Sequence, residues 1–128
     1  MVIDASAATA VCMTASGFAL VPYPLQAPIL LRSEVLAAIQ GMEWRQEVSS
    51  ELAELAVERL LKAPVRLARR AEVLTHARRL ATSLGWAKTY DAEYVALAQI
   101  SNEPLLTIDA RLARRVRDIV DVRTPADL

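Results

Sequence analysis

Short apolar segments alternate with longer segments of helical periodicity along this chain. The apolar segments have the length of buried strands and lie at residues 1–3, 18–21, 65–67, 105–107 and 119–122. Helices are predicted at residues 5–14, 31–40, 44–61, 69–84 and 110–117, and one further helix opens at Asp91. Such alternation favours right-handed crossovers and a mostly parallel sheet with both faces covered. The pattern therefore predicts an α/β fold, a three-layer α/β/α sandwich with four or five short strands.

Glycines mark several of the predicted helix ends. Gly17 lies just beyond the first helix, Gly41 is expected to stop the second, and Gly85 is expected to cap the helix over 69–84. In the helix predicted over 44–61, the apolar side carries Val48, Leu52 and Leu55. A stripe beside it is expected to face solvent, with docking of a basic partner segment as the alternative, and consists of Glu47, Glu51, Glu54 and Glu58.

The composition is that of one compact domain spanning residues 1–128, with 54% hydrophobic and 23% charged residues. Fifteen basic and fifteen acidic side chains cancel, so binding to nucleic acid requires a local basic patch. The lone Cys12 cannot form an internal disulfide, and no basic segment precedes the first apolar residues, so we expect a cytoplasmic protein. Prolines interrupt the most apolar stretch, 18–31, which excludes a membrane span there.

Four carboxylates lie at the ends of predicted elements. Asp4 and Asp109 follow strands, whereas Glu34 and Asp91 lie in the first turns of helices. In open parallel sheets, ligands bind beyond the carboxyl ends of the strands. An acid beside a core segment needs a cation, hydrogen bonds or a raised pKa. The four acids therefore indicate one shared site for a hard cation such as Mg²⁺ or Mn²⁺.

A purely structural explanation competes with the metal site. An acid at a helix start commonly caps the helix or interacts favourably with its dipole. That explanation suits Asp91 and Asp109, and Asp4 could cap a helix beginning at Ala5 in the same way. The spacing of the acids leaves both explanations open.

Four segments resemble the motifs of the PIN-domain family, particularly the VapC-type toxin ribonucleases. They are VIDAS at 2–6, SEVL at 33–36, YDAEYVALA at 90–98 and LLTIDARLA at 105–113. All four occur in the family's order and together frame nearly the whole chain. Residues between Asp4 and Glu34 are compact and proline-rich beside the usual helix and strand of the family, so the rim of the site is expected to differ.

The resemblance implies an α/β/α endoribonuclease that depends on Mg²⁺ or Mn²⁺ and acts as the toxin of a type II toxin–antitoxin system. It also implies a homodimer and a cognate antitoxin that blocks the site. The metal-binding catalytic acids would be Asp4, Glu34, Asp91 and Asp109. Ser6 and Thr107 match polar positions that hold the carboxylates or a metal-bound water. The alternative function is a non-catalytic PIN-like module that binds RNA or a partner without cutting.

Several arginines are candidates for the local basic patch that RNA binding requires. The candidates for contact with RNA phosphates are Arg66, Arg69, Arg70, Arg111, Arg114 and Arg115, and a solvated helix face is the competing explanation. Trp44, Trp86 and Tyr23 are expected to be core or interface anchors. Glu93 neighbours Asp91 but is expected to project from a different face of the helix.

Overall fold

The computed structural model describes residues 1–128, in which five strands form one sheet and six α-helices flank it. The strands are β1 (Val2–Ile3), β2 (Leu25–Pro28), β3 (Val65–Ala68), β4 (Leu105–Leu106) and β5 (Val122–Arg123). The helices are α1 (Ala5–Cys12), α2 (Leu31–Trp44), α3 (Ser50–Leu61), α4 (Ala71–Leu84), α5 (Tyr90–Ser101) and α6 (Ala110–Val116). None of these helices is both long and apolar enough to cross a membrane.

All strands are parallel, in the order β3-β2-β1-β4-β5. The chain moves outward from β1 through β2 to β3, then returns to add β4 and β5 on the other side of β1. The carboxyl ends of β1 and β4 are therefore the point at which the strand order reverses, where ligands bind in open α/β sheets. The predicted three-layer α/β/α sandwich is confirmed.

The core lies between this sheet and two groups of helices. Helices α1, α2 and α3 pack on one another, whereas α4 packs on α5, which also contacts β1, β2 and β4. The central strands are fully enclosed, since Val2, Ile3 and Leu105 have no exposed surface. In α5 the run from Tyr94 to Ala98 is buried on all sides, as a helix covering a central sheet must be.

The predicted strand over 18–21 is wrong. Gly17–Leu20 forms a 3₁₀ helix, and the second strand is β2, at Leu25–Pro28. Gly17 adopts a left-handed backbone with φ +53°, which turns the chain there. Pro28 is the last residue of β2 and lies beyond Gln26, the residue at which β2 pairs with β1.

Two further helix boundaries differ from the prediction. Gly41 does not stop α2, which continues to Trp44; a β-carbon at Gly41 would lie 3.0 Å from the Arg45 guanidinium, so the glycine leaves room for that side chain. The predicted helix over 44–61 begins only at Ser50, because Gln46 has a left-handed backbone, with φ +59°, and cannot continue a right-handed helix. Ser49 caps α3 by accepting the Leu52 N–H at 3.1 Å.

The buried side of α3 is also different from the one predicted. It consists of Ala53, Ala56 and Leu60, whereas Leu55 is 46% exposed. The remaining differences are small: α1 ends at Cys12, α4 begins at Ala71, and β5 lies at Val122–Arg123. Gly85 caps α4 as predicted, in the left-handed conformation with φ +70°.

Candidate active site

Asp4 is the most enclosed of the four predicted acids. It follows β1 and is only 4% exposed. Its Oδ1 accepts the Ala7 N–H at 2.9 Å, which caps α1, and the Ser6 hydroxyl at 2.7 Å. Its Oδ2 accepts the Thr107 hydroxyl at 2.5 Å. The carboxylate therefore joins the end of β1 to the end of β4, at the reversal point of the sheet.

The hydroxyls of Ser6 and Thr107 extend this network to the connection between β4 and α6. The Ser6 oxygen accepts the Ile108 N–H at 3.1 Å, and the Thr107 oxygen accepts the Asp109 N–H at 3.0 Å. The two hydroxyl oxygens also lie 3.1 Å apart. The contacts expected between these residues and a carboxylate are thus present, and they hold Asp4 in one orientation.

Each hydroxyl has one proton, which limits how the network is shared. With Asp4 ionised, both hydroxyl protons point to its carboxylate. With Asp4 protonated, its own proton can be donated to the Thr107 oxygen. Thr107 then donates to the Ser6 oxygen, and Ser6 donates to Asp4 Oδ1, so the three hydrogen bonds form a closed ring. The network can therefore hydrogen bond Asp4 in either protonation state.

Glu34 lies in the first turn of α2 and is held from α5. The Tyr94 hydroxyl donates to Glu34 Oε1 at 2.7 Å, and Tyr94 is 1% exposed. The sequence analysis missed Tyr94 as a site residue. Tyr94 lies three residues after Asp91 and therefore on the same face of the helix. That spacing is the feature of the sequence that could have indicated Tyr94 as a site residue.

Helix capping explains two of the acids and not the other two. Asp109 caps α6, where its Oδ1 accepts the Arg111 and Leu112 N–H groups at 2.9 and 3.1 Å. Asp4 caps α1. Asp91 lies within the first turn of α5, whose cap position makes no side-chain hydrogen bond. Glu34 and Asp91 lie in the first turns of their helices, where the helix dipole favours an acid, but neither caps its helix with a hydrogen bond.

The four acids form one electrostatically coupled group. Partial burial is the main cause that raises the pKa of Asp4, Glu34 and Asp91 above their ordinary values. Repulsion adds to it: Asp91 raises the pKa of Asp4 and of Glu34, and Asp109 raises that of Asp91. The Arg115 guanidinium lowers the pKa of Asp91. Asp91 is thus the member that interacts with all three others.

An open cavity of about 460 Å³ lies beside the acids. Glu34, Asp91 and Asp109 line it, whereas Asp4 lies outside its lining. Its other walls are formed by Gly85, Trp86, Ala87, Lys88, Tyr90, Arg111, Leu112 and Arg115. Three carboxylates thus share one opening with three cations, as a site for a charged ligand requires.

The donor chemistry of the acids fits a hard divalent cation, because every available ligand atom is a carboxylate oxygen. However, no group of three or more histidine, cysteine, aspartate or glutamate side chains is arranged to hold a metal ion. Mg²⁺ usually keeps several waters and binds through one or two carboxylates together with substrate phosphates. The arrangement is therefore compatible with such an open site and is not a closed cage of protein ligands.

The predicted RNA-binding arginines divide between two cavities and the rest of the surface. Arg111 and Arg115 line the cavity beside the acids. Arg69 and Arg70 line a second cavity, of about 230 Å³, at the carboxyl ends of β2 and β3. Glu93 also lines that second cavity. Burial is the main cause that raises the pKa of Glu93, and repulsion from Glu34 raises it further. Glu93 therefore lies at the edge of the acid group.

The other two arginines lie outside both cavities. Arg66 is in β3, and its guanidinium donates to the Gln26 side chain at 2.7 Å. That contact gives Arg66 a structural role within the sheet. Arg114 is exposed on α6.

Sequence reasoning did not select Lys88 or Tyr90, which line the cavity beside the acids. Both belong to or adjoin the irregular segment between α4 and α5, where no periodicity exists to reveal which side chains turn toward the site. Trp86 packs against the core, as expected of an anchor, and the Arg115 guanidinium lies 5.7 Å from the centre of its ring.

The chain is similar in structure to PAE2754 from Pyrobaculum aerophilum, known from its crystal structure. The TM-score is 0.70 at 22% sequence identity, and the match covers 94% of this chain and 88% of that chain. This likeness shows the fold. No protein-family model matches the chain, and no curated protein matches it.

Proposed function

We propose that this chain is an endoribonuclease that depends on Mg²⁺ or Mn²⁺ and cleaves RNA phosphodiester bonds. The observation that carries the proposal is the cavity at the carboxyl edge of the sheet, which Glu34, Asp91 and Asp109 line together. Repulsion from Asp91 also raises the pKa of Asp4 and of Glu34. Burial and mutual repulsion raise the pKa of Asp4, Glu34 and Asp91, which lowers the stability of the fold at neutral pH when no cation is bound. The resemblance of the surrounding motifs to those of PIN-domain ribonucleases gives this grouping a chemical purpose.

The chain's own residues prepare the site before any ligand binds. Ser6 and Thr107 fix the orientation of Asp4, and Tyr94 fixes that of Glu34. Arg111 and Arg115 provide positive charge for phosphate oxygens. A bound divalent ion would supply neutralisation of the acids, activation of a water and stabilisation of charge on the phosphodiester.

The biological role that we propose is that of a toxin, paired with an antitoxin and acting as a homodimer on cellular RNA. The support for this role is the resemblance of the motifs to VapC-type toxins. Expression of the chain alone should arrest growth, and co-expression of a partner encoded beside it should relieve the arrest. Normal growth at verified high expression would contradict the toxin role and leave the nuclease proposal standing.

A non-catalytic module that binds RNA or a protein is the second candidate. It is favoured by the absence of a group of three or more potential ligands arranged for a metal ion. The presence of all four acids in one coupled group favours the nuclease.

The deciding experiment is cleavage of a mixed cellular RNA preparation by purified protein. We expect cleavage with Mg²⁺ or Mn²⁺, none with EDTA, and a loss of about a hundredfold or more in the Asp91→Asn variant. Asp118→Asn is the matched control, since Asp118 is exposed and lines neither cavity. Cleavage that persists in EDTA, or that Asp91→Asn leaves unchanged, would refute the assignment.

A further inference from the structure

One wall of the cavity beside the acids is both aromatic and cationic. It consists of Trp86, Lys88 and Tyr90 on the segment leading into α5, together with Arg111 and Arg115 on α6. We refer to these five residues as the aromatic–basic wall. The cavity of about 460 Å³ lies within the range of roughly 300–1,000 Å³ that small-ligand sites occupy.

The two aromatic residues of the wall have different environments. Trp86 is partly buried against the core, and Arg115 lies over its ring at 5.7 Å. This cation–π contact orients the Arg115 side chain toward the cavity, and the guanidinium covers one face of the Trp86 indole ring. Tyr90 is the first residue of α5 and is 56% exposed, whereas Ala92 and Tyr94 of the same helix are buried. The Tyr90 ring is therefore the aromatic surface that a ligand can reach.

The cations of the wall are available as well. The four ion pairs of the chain join Met1 to Glu103, Arg45 to Glu47, Arg70 to Glu72 and Arg123 to Asp121. Neither Lys88 nor Arg111 takes part in any of them. Three carboxylates, Glu34, Asp91 and Asp109, line the same cavity, and none of them forms an ion pair with Lys88 or Arg111. Lys88 and Arg111 can therefore bind a ligand anion.

We propose that Tyr90, Lys88 and Arg111 form a nucleotide subsite, in which a base stacks on the Tyr90 ring and its phosphate pairs with the two cations. A nucleotide combines a π face with an anion, and this wall presents a partner for each. An acidic peptide would use the cations and leave the ring without a partner. A base can stack only when it is unstacked from its own helix, so the ligand is a single-stranded segment. The subsite rests on the proposed function for its choice of RNA.

Binding to a labelled ten-nucleotide single-stranded RNA tests the subsite without cleavage. The measurement is fluorescence anisotropy with Mg²⁺ in the Asp91→Asn background, so that the RNA remains intact. Adding Tyr90→Ala should weaken binding about 5- to 150-fold, whereas Tyr90→Phe, which keeps the ring, should change it less than about threefold. Tyr23→Ala is the matched control, since Tyr23 is 48% exposed and lines a different cavity.

The same RNA with one base removed at each position in turn tests whether the ring contacts a base. One abasic position should weaken binding to the protein with Tyr90 intact and have no added effect on Tyr90→Ala. The proposal is overturned if Tyr90→Ala binds as tightly as its parent, or if Tyr23→Ala weakens binding equally. A polyglutamate peptide that binds with the same dependence on Tyr90 would overturn the choice of nucleic acid.

Failure of the subsite and failure of the nuclease have different outcomes. If the unmodified protein cuts no RNA but its binding depends on Tyr90, the subsite stands and the nuclease proposal falls. If the protein cuts RNA and neither binding nor cutting depends on Tyr90, the nuclease stands and the subsite falls.

Discussion

The Tyr94 hydroxyl donates a hydrogen bond of 2.7 Å to Glu34 Oε1 and so joins α5 to α2 across the candidate active site. Tyr94 is buried and Glu34 half-buried, so this single contact fixes the carboxylate relative to Asp91, three residues before the tyrosine. Burial and the neighbouring Glu34 carboxylate both raise the pKa of Tyr94, which keeps its hydroxyl protonated and available as a donor.

Tyr94→Phe removes this donor and keeps the buried ring. We expect the affinity for Mn²⁺, measured by calorimetric titration, to fall about 10- to 100-fold, since outer hydrogen-bond partners orient metal-binding carboxylates. The free energy of unfolding should fall by about 1–2 kcal/mol. Tyr23→Phe is the control and should change neither quantity. Equal Mn²⁺ affinity in Tyr94→Phe and the unmodified protein would show that Tyr94 does not position Glu34 for a metal.

Thr107→Val removes a hydroxyl from the network around Asp4 with little change in side-chain volume. Asp4 loses the donor to its Oδ2, and the Asp109 N–H loses its acceptor. Because Asp4 is buried, we expect the free energy of unfolding in urea to fall by about 1–3 kcal/mol. Thr75→Val, at an exposed position of α4, should change it by less than about 0.5 kcal/mol. A Thr107→Val variant as stable as the Thr75→Val variant would exclude a stabilising role for this network.

The raised pKa values predict that the metal-free protein loses stability as pH rises. Asp4, Glu34 and Asp91 bind protons more tightly in the folded than in the unfolded state, so the folded state holds the extra protons. Stability therefore falls from about pH 4, where unfolded carboxyls ionise, up through the higher folded pKa values. Melting temperatures in EDTA across this range measure the effect.

Asp91→Asn isolates the contribution of the central acid to this pH dependence. In EDTA near pH 7, the variant should melt at a higher temperature than the unmodified protein, because the substitution removes the repulsion of Asp91 with Asp4, Glu34 and Asp109. The difference in melting temperature should shrink toward pH 4, where carboxylates become protonated. Asp118→Asn should show no such advantage. A constant difference between Asp91→Asn and the unmodified protein at every pH would rule out charge repulsion as its cause.

The arginines should differ in their effect on RNA binding. Arg111→Gln removes a cation that lines the cavity, so the slope of log affinity against log salt concentration should decrease by about 0.7 for the one lost phosphate contact. Arg66→Gln should leave the slope unchanged, because Arg66 contacts Gln26. The slope is measured in the Asp91→Asn background with single-stranded RNA. Equal slopes for Arg111→Gln and its parent would remove Arg111 from the RNA interface.

The parts of the site that the sequence could predict depend on local periodicity. Asp91 and Tyr94 share a face because residues three apart do so on a helix, and Asp4 and Asp109 follow short apolar segments of strand length. Gly85 marked the end of α4 for an equally local reason, because glycine adopts a left-handed backbone conformation with little cost in free energy.

The remaining features depend on contacts that no local pattern encodes. The hydrogen bond from Tyr94 to Glu34 spans 60 positions of sequence and exists only because α2 and α5 meet at the sheet edge. The second strand was predicted at the wrong place because the apolar residues at 18–21 are typical of a strand, whereas the prolines in and around β2 are typical of a loop. Tyr90 lies at the end of an irregular segment, so only the folded chain shows that it reaches the cavity.

The hydrogen bond between Asp4 and Thr107 joins residues 103 positions apart, and this separation governs when the site can form. Closing so long a loop carries an entropic cost that only the assembled sheet offsets. During synthesis, β1 is made before its neighbour β4, so the two strands can pair only after the residues between them have been translated. Until Thr107 and Asp109 have been synthesised, Oδ2 of Asp4 lacks its hydrogen-bond donor, and the fourth acid of the candidate site is missing. The candidate site is therefore incomplete in a nascent chain until β4 and the start of α6 have been translated.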